Sequence, residues 1–265
     1  YRPLRGKTLI LIFEKPSLRT RITFETGAFQ LGCRSIFVED ILGKRESIPD
    51  VARNLERWVD GIIARTHSHE AIVELAEYSS VPVINALTNK LHPCQVLADA
   101  QTLLDHKGRL DGLKVAFVGD GNNMCASWAN LTMHAAIDLT LACPEGYEVE
   151  KDIWDTALRR TKGSLKVVHR PEEAVRGADA VYTDVWASMG QESETEARKR
   201  VFAPFQVNAA LMALAKPDAV FMHCLPAHRG EEVTNEVIES ERSVVFDQAE
   251  NRLHAQKAVM VELMA

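Results

Sequence analysis

Short apolar runs rich in β-branched residues alternate with longer stretches whose apolar positions recur at helical spacing. The first runs are Thr8–Phe13, Ser35–Val38, Gly61–Arg65 and Pro82–Asn85. Helical patterns lie near Ser17–Leu31, Pro49–Trp58, Glu70–Tyr78 and Pro93–His106. In the last of these, Val96, Leu97, Ala100, Leu103 and Leu104 share one face, and Pro93 suits the first helical position. A polar turn, Lys107-Gly-Arg-Leu-Asp-Gly112, interrupts the rhythm. It restarts with runs at Lys114–Val118, Leu139–Cys143, Leu165–His169, Ala180–Asp184, Ala219–His223 and Ser243–Phe246, and ends in a helix over Gln248–Met264. This alternation predicts an α/β protein with two doubly wound parallel-sheet domains. The domains are expected at 1–108 and 109–248, with the helix of 249–265 crossing back to the first. The very polar segment Gln191–Arg200 predicts a solvated helix or a mobile loop.

Composition narrows the class. With 265 residues, 46% apolar and 26% charged, the chain can bury a large core and is unlike disordered, collagen-like or coiled-coil sequences. No apolar run approaches the ~20 residues of a membrane span, so no membrane association is expected. A net charge of −6 gives no support to nucleic-acid binding, because a polyanion needs a positive field. Five scattered cysteines form no CxxC pair, which predicts free thiols in a reducing, cytoplasmic setting. His223, Cys224 and His228 leave too few ligands for zinc, and no metal is expected. The chain opens Tyr1-Arg-Pro without a methionine, so a fragment or processed product is expected.

Phe13–Glu25 reads FEKPSLRTRITFE, a strand end followed by a helix start. Pro16 breaks the strand and Ser17 suits the N-cap. The following backbone N–H groups sit at the positive end of the helix dipole, and with Ser17, Thr20 and Arg19 they could cradle a phosphate. Arg21 points elsewhere and could pair with Glu25. A capped surface helix with a solvated charge cluster explains the same residues equally well.

The phrase SLRTRITFE resembles the carbamoyl-phosphate signature S-T-R-T-R-x-S-F-E of the aspartate/ornithine carbamoyltransferases, with Leu18 where threonine is usual. That change matters little if the position offers its backbone N–H. Five further segments match in the family's order. Arg65 ends an apolar run, where α/β sheets place ligand contacts. His92-Pro-Cys-Gln95 resembles H-P-x-Q, and Gln248-Ala-Glu-Asn-Arg252 contains A-E-N-R. Val118-Gly-Asp-Gly-Asn-Asn-Met124 resembles the family's GDGNN turn; as a dinucleotide motif it lacks the third glycine. Asp184 with Ser188-Met-Gly190 resembles the D-x-x-x-S-M-G of the ornithine-using members, and His223-Cys-Leu-Pro226 the H-C-L-P motif.

The resemblance implies carbamoyl transfer from carbamoyl phosphate to the δ-amine of L-ornithine, giving L-citrulline and phosphate without a cofactor. It assigns carbamoyl phosphate to Ser17, Leu18, Arg19, Thr20, Arg65, His92, Gln95, Cys224, Leu225 and Arg252. Ornithine falls to Asn123, Asp184, Ser188 and Met189, and the catalytic roles to Arg19, His92, Asp184 and Cys224. It further implies a homotrimer or a multiple of trimers, in which the loop of Glu39–Ser47 completes a neighbouring site through Lys44 or Arg45. Three alternatives remain: carbamoyl transfer to putrescine or an N-acylornithine, a nucleotide-dependent oxidoreductase, and a non-catalytic homologue.

Overall fold

The computed structural model describes residues 2–187 and 194–265 and forms two compact units. One comprises the chain up to Ala98 together with Glu250–Ala265; the other is Asp99–Ala249. The units part inside a helix, Pro93–Lys107, about ten residues before the glycine-marked turn at 107–112.

The first unit is built on β1 (Thr8–Phe13), β2 (Arg34–Glu39), β3 (Gly61–Arg65) and β4 (Val83–Leu87), all parallel in the order β2-β1-β3-β4. Its helices are α1 (Leu18–Leu31), α2 (Ile48–Leu55), α3 (His69–Tyr78) and the start of α4 (Pro93–Lys107). The run TLILIF is apolar throughout because both sheet faces are covered. Leu9, Leu11 and Phe13 pack with Phe24, Ala28, Met260 and Met264; Ile10 and Ile12 pack with Ala52, Leu55, Ile72 and Leu75. Each fully buried large side chain contributes about 1.5–3 kcal/mol. The residues of the last helix from Glu250 onward thus help to cover this sheet. Gly32 closes α1 in the left-handed conformation, φ 84°, which lets the chain reverse into β2.

The second unit holds β5 (Lys114–Val118), β6 (Asp138–Ala142), β7 (Ser164–Val168), β8 (Ala180–Thr183) and β9 (Val220–His223), all parallel in the order β7-β6-β5-β8-β9. Its helices are α5 (Asn123–Leu131), α6 (Lys151–Arg160), α7 (Pro171–Val175), α8 (Thr195–Phe202), α9 (Ala209–Met212) and α10 (Asn235–Ile238). One sheet face packs Ala116, Val118, Val181 and Phe221 against Val175, Leu211 and Val237. On the other, Phe117 stacks on Tyr182 at 5.2 Å between ring centroids, and Trp128 meets Tyr182 edge-on at 5.6 Å.

One expectation fails. Ser243–Phe246 is not a strand: Ser243 makes a single bridge to Phe221, and the chain then enters α11 (Val245–Met264). A short apolar run does not separate a strand from a buried helix start. In the polar stretch 191–200, the residues on α8 are exposed or half-buried, except Arg198, which is buried among them. Among the described residues no helix is long and apolar enough to cross a membrane.

Candidate active site

In each sheet the chain leaves the first strand in one direction and later returns past it to the other side. The reversal falls between β1 and β3 in the first unit, and between β5 and β8 in the second. Loops diverge at such points, leaving a crevice at the carboxyl ends of the strands.

In the first unit, β1 feeds directly into α1. Ser17 holds the N-cap position, and its side chain makes no capping bond to the helix. The first turn of α1 carries no acidic residue, and Leu18 is largely exposed. The helix start therefore keeps its positive character. Arg21 turns away, pairing with Glu25 at 3.4 Å and lying 3.6 Å from the Phe37 ring centroid. Arg65 ends β3, next to Phe13 in the β1–β3 register. His92 precedes α4, and its carbonyl accepts from the N–H of Gln95 at 3.1 Å. Arg252, on α11, donates from Nη1 to Gln95 Oε1 at 2.6 Å and from Nη2 to Thr20 Oγ1 at 3.0 Å. One guanidinium thus ties the α1 start to the α4 start.

His92 is buried. Burial first, then the guanidinium groups of Arg252, Arg65 and Arg19, hold its imidazole well below the ordinary value of 6.5. The ring is neutral and surrounded by three fixed positive charges. Such a group cannot bind an anion by charge, but it can donate a hydrogen bond to a carbonyl oxygen. The arginines and the helix start carry the positive charge that a phosphate would need.

In the second unit, the turn after β5 places Gly119, Asp120, Gly121 and Asn122 at the carboxyl end of the sheet. Gly121 donates to the Tyr147 carbonyl at 2.8 Å, and a Cβ there would lie 2.3 Å from the carbonyl carbon of Glu148. Only glycine fits that approach. Asn122 caps α5, its Oδ1 accepting from the N–H groups of Met124 and Cys125 at 2.9 and 3.2 Å. Its Nδ2 donates to Asp184 Oδ2 at 2.8 Å. Asp184 Oδ1 accepts from the Cys224 thiol at 3.0 Å and from the N–H of Val185 at 2.8 Å. A buried carboxylate is thus fixed in orientation by an amide, a thiol and a backbone N–H.

Behind Cys224, His223 Nδ1 accepts from the N–H of Leu225 at 2.8 Å, and Nε2 faces Glu232 at 3.2 Å. Leu225 has φ 57° and precedes a cis proline. Asp184, His223 and Cys224 lie close enough together to suggest a metal site. Both ring nitrogens of His223 are already engaged, so this histidine is not a ready ligand.

Residue by residue, the structure brings Thr20, Gln95 and Arg252 into one hydrogen-bonded group and sets His92 among Arg19, Arg65 and Arg252. Asp184 and Cys224 meet directly. Asn123 begins α5, beside the asparagine that reaches Asp184. Ser188 and Met189 lie outside the described residues. Sequence reasoning missed Asn122, Asp120, Arg198 and Glu232. The position of Asn122 just before an apolar helix is an N-cap signal that could have revealed it. The buried pair Arg198–Asp120, 2.6 Å apart, joins residues far apart in sequence and leaves no local signal.

Residues 1–105 match the carbamoyl-P binding domain of aspartate/ornithine carbamoyltransferases, and residues 111–263 match their Asp/Orn binding domain. The ornithine carbamoyltransferase of Methanothermobacter thermautotrophicus is 56% identical over 98% of this chain and 88% of its own length. That of Thermococcus kodakarensis is 54% identical, covering 100% of this chain and 86% of its own. The solved ornithine carbamoyltransferase of Pyrococcus furiosus superposes with a TM-score of 0.95 at 50% identity, over 100% of this chain and 86% of that one. An N-acetyl-L-ornithine transcarbamylase structure superposes at 0.88 with 34% identity, over 99% of this chain and 90% of that one. The chain is a member of the aspartate/ornithine carbamoyltransferase family.

Proposed function

We infer that the protein transfers the carbamoyl group of carbamoyl phosphate to the δ-amine of L-ornithine, releasing L-citrulline and phosphate. The observation that carries this reading is the neutral, buried His92 among Arg19, Arg65 and Arg252. Carbamoyl phosphate combines a dianion with a polarisable carbonyl, and this group answers both parts. The phosphate sits on the start of α1, held by Ser17, the Leu18 N–H, Arg19, Thr20, Arg65 and Arg252. His92 donates to the carbonyl oxygen, where negative charge grows as the amine attacks. Gln95, fixed by Arg252, orients the carbamoyl amide.

Asp184 takes the α-ammonium of ornithine, with Asn123 and the Ser188–Met189 segment on its carboxylate. Cys224 and the Leu225 carbonyl serve the amine end and the carbamoyl nitrogen. The amine attacks in its neutral form, a tetrahedral intermediate forms, and the departing phosphate carries away the amine proton. No protein nucleophile is needed, so rate enhancement comes from positioning and preorganised donors.

The relatives at 54–56% identity are ornithine carbamoyltransferases, whereas the N-acetyl-L-ornithine enzyme stands at 34%. This favours the free amino acid as acceptor. A panel of ornithine, putrescine, N-acetylornithine and aspartate tests that choice. Ornithine should be carbamoylated fastest, and Asp184→Asn should abolish the preference. Equal rates with putrescine would show that nothing reads the α-amino acid group.

The working assembly is a homotrimer or a multiple of it, with Lys44 or Arg45 of the 39–47 loop reaching a neighbour's site. The location is cytoplasmic, consistent with five free cysteines.

A further inference from the structure

The strands β6 and β7 end side by side at the pair Ala142–Val168. One further ladder bond, from the Cys143 N–H to the Val168 carbonyl at 3.1 Å, sets Cys143 and His169 abreast just beyond the sheet. The chain then turns, with the Tyr147 N–H bonded to the Pro144 carbonyl at 3.2 Å, and returns Glu148 to the same place. The Cys143 sulfur, a Glu148 carboxylate oxygen and a His169 ring nitrogen all lie within 4.8 Å of one another. Cys143 is the buried floor of this group; Glu148 and His169 are exposed and open it to solvent. None of the three has a part in the proposed reaction.

The two exposed side chains are already oriented. His169 Nδ1 lies 3.0 Å from the Cys143 carbonyl. A carbonyl only accepts, so in the neutral ring it is Nδ1 that carries the proton, leaving Nε2 as the lone-pair atom. A bond from one ring nitrogen to a backbone carbonyl is how metal-ligating histidines are held. Glu148 is drawn back over the turn by accepting the Gly146 N–H at 3.2 Å.

We propose that Cys143, Glu148 and His169 form a zinc site, with water as the fourth ligand. Thiolate, imidazole and carboxylate together suit Zn²⁺, whereas Mg²⁺ and Ca²⁺ call for oxygen donors throughout. Ligands about 2.0–2.3 Å from a tetrahedral ion lie roughly 3.3–3.8 Å apart. Ligand atoms within 4.8 Å of one another would draw together by up to about 1 Å to reach that spacing. On binding, the Cys143 thiol loses its proton to solvent and the thiolate joins the ion. The ion pins the 143–148 turn, whose Tyr147 carbonyl holds Gly121 at the head of the Asn122 turn. It is a stabilising site on the outer side of that turn.

Cobalt(II) reports such a site through sulfur-to-metal charge-transfer absorption and strong tetrahedral d–d bands. Cys224 is the other cysteine belonging to a possible ligand group among the described residues, so the titration uses the chelator-treated Cys224→Ser protein. One equivalent of Co²⁺ should raise both bands, one equivalent of Zn²⁺ should erase them, and Zn²⁺ should raise the melting temperature. His169→Ala and Glu148→Gln, both at exposed positions, should keep the fold and weaken Co²⁺ binding more than tenfold. Cys143→Ser in the same background should remove the charge-transfer band. Absence of the bands in Cys224→Ser, their survival without Cys143, or unchanged affinity in His169→Ala would each overturn the site.

Discussion

Arg198→Met would strand one buried carboxylate, and the consequence can be worked out. Arg198 and Asp120 lie 2.6 Å apart, with side chains 5% and 9% exposed. The guanidinium also donates from Nε to the Trp186 carbonyl and lies over the rings of Tyr147 and Phe202. Burial pushes the Asp120 carboxyl from 3.8 to about 6 even though Arg198 opposes the rise. At about 1.4 kcal/mol per tenfold change in proton affinity, ionising Asp120 in the folded state costs about 3 kcal/mol. The folded carboxyl binds its proton more tightly than the unfolded one. Stability from this group therefore falls as pH rises from 3.8 through about 6. Without Arg198 the folded value rises further, and at pH 8 a bare buried charge remains.

Breaking such a pair costs about 3–5 kcal/mol, or about 6–20 °C in melting temperature for a protein of this size. Thermal unfolding followed by circular dichroism in phosphate-free buffers measures it. Arg198→Met should lose that much at pH 8 and recover part of it at pH 5, where Asp120 is protonated. The double variant Asp120→Asn/Arg198→Met should recover at least about 2 kcal/mol over the single one at pH 8, because no charge is left behind. A single variant melting within about 3 °C of the parent at pH 8, or a deficit equal at both pH values, would refute the reasoning.

Three further changes probe the site. Arg252→Met removes the bonds to Gln95 and Thr20 and one charge from the proposed phosphate position. Charged hydrogen bonds contribute about 1.5–3 kcal/mol, so kcat/KM for carbamoyl phosphate should fall about 10–100-fold; a change under twofold would place the phosphate elsewhere. His92→Asn should lower kcat by about 10²–10³, by analogy with loss of an oxyanion donor. Because His92 is held neutral well below 6.5, the acid limb of the pH–rate profile should stay where it is in that variant; a displaced limb would mean that the imidazole titrates. Gly121→Ala forces a methyl to 2.3 Å from the Glu148 carbonyl carbon, an overpacking of about 1–3 kcal/mol. It should raise the KM for ornithine about tenfold or more and leave that for carbamoyl phosphate unchanged. An unaltered ornithine KM would detach the Asn122 turn from the amino-acid site.

The parallel strands were legible because burial on both faces makes runs such as Leu9–Phe13 and Val115–Val118 apolar throughout. The helix starts at Ser17 and Pro93 carried their own local signals. Ser243–Phe246 misled because a short, largely apolar run fits a buried helix entrance as well as a strand. Within the site, the phosphate residues stood out as a local motif. The Asn122–Asp184 bond and the Arg198–Asp120 pair did not, since both join distant segments through folding alone. Arg198 also shows why a charge-rich stretch is not proof of solvation: one of its three cations is buried against Asp120, which lies far away in the sequence.

The most direct test of the account is the initial rate of citrulline formation from carbamoyl phosphate and L-ornithine. Citrulline and phosphate should appear in equal amounts, at a rate that saturates in both substrates and requires no added metal or nucleotide. Citrulline formation no faster than without the protein would contradict it.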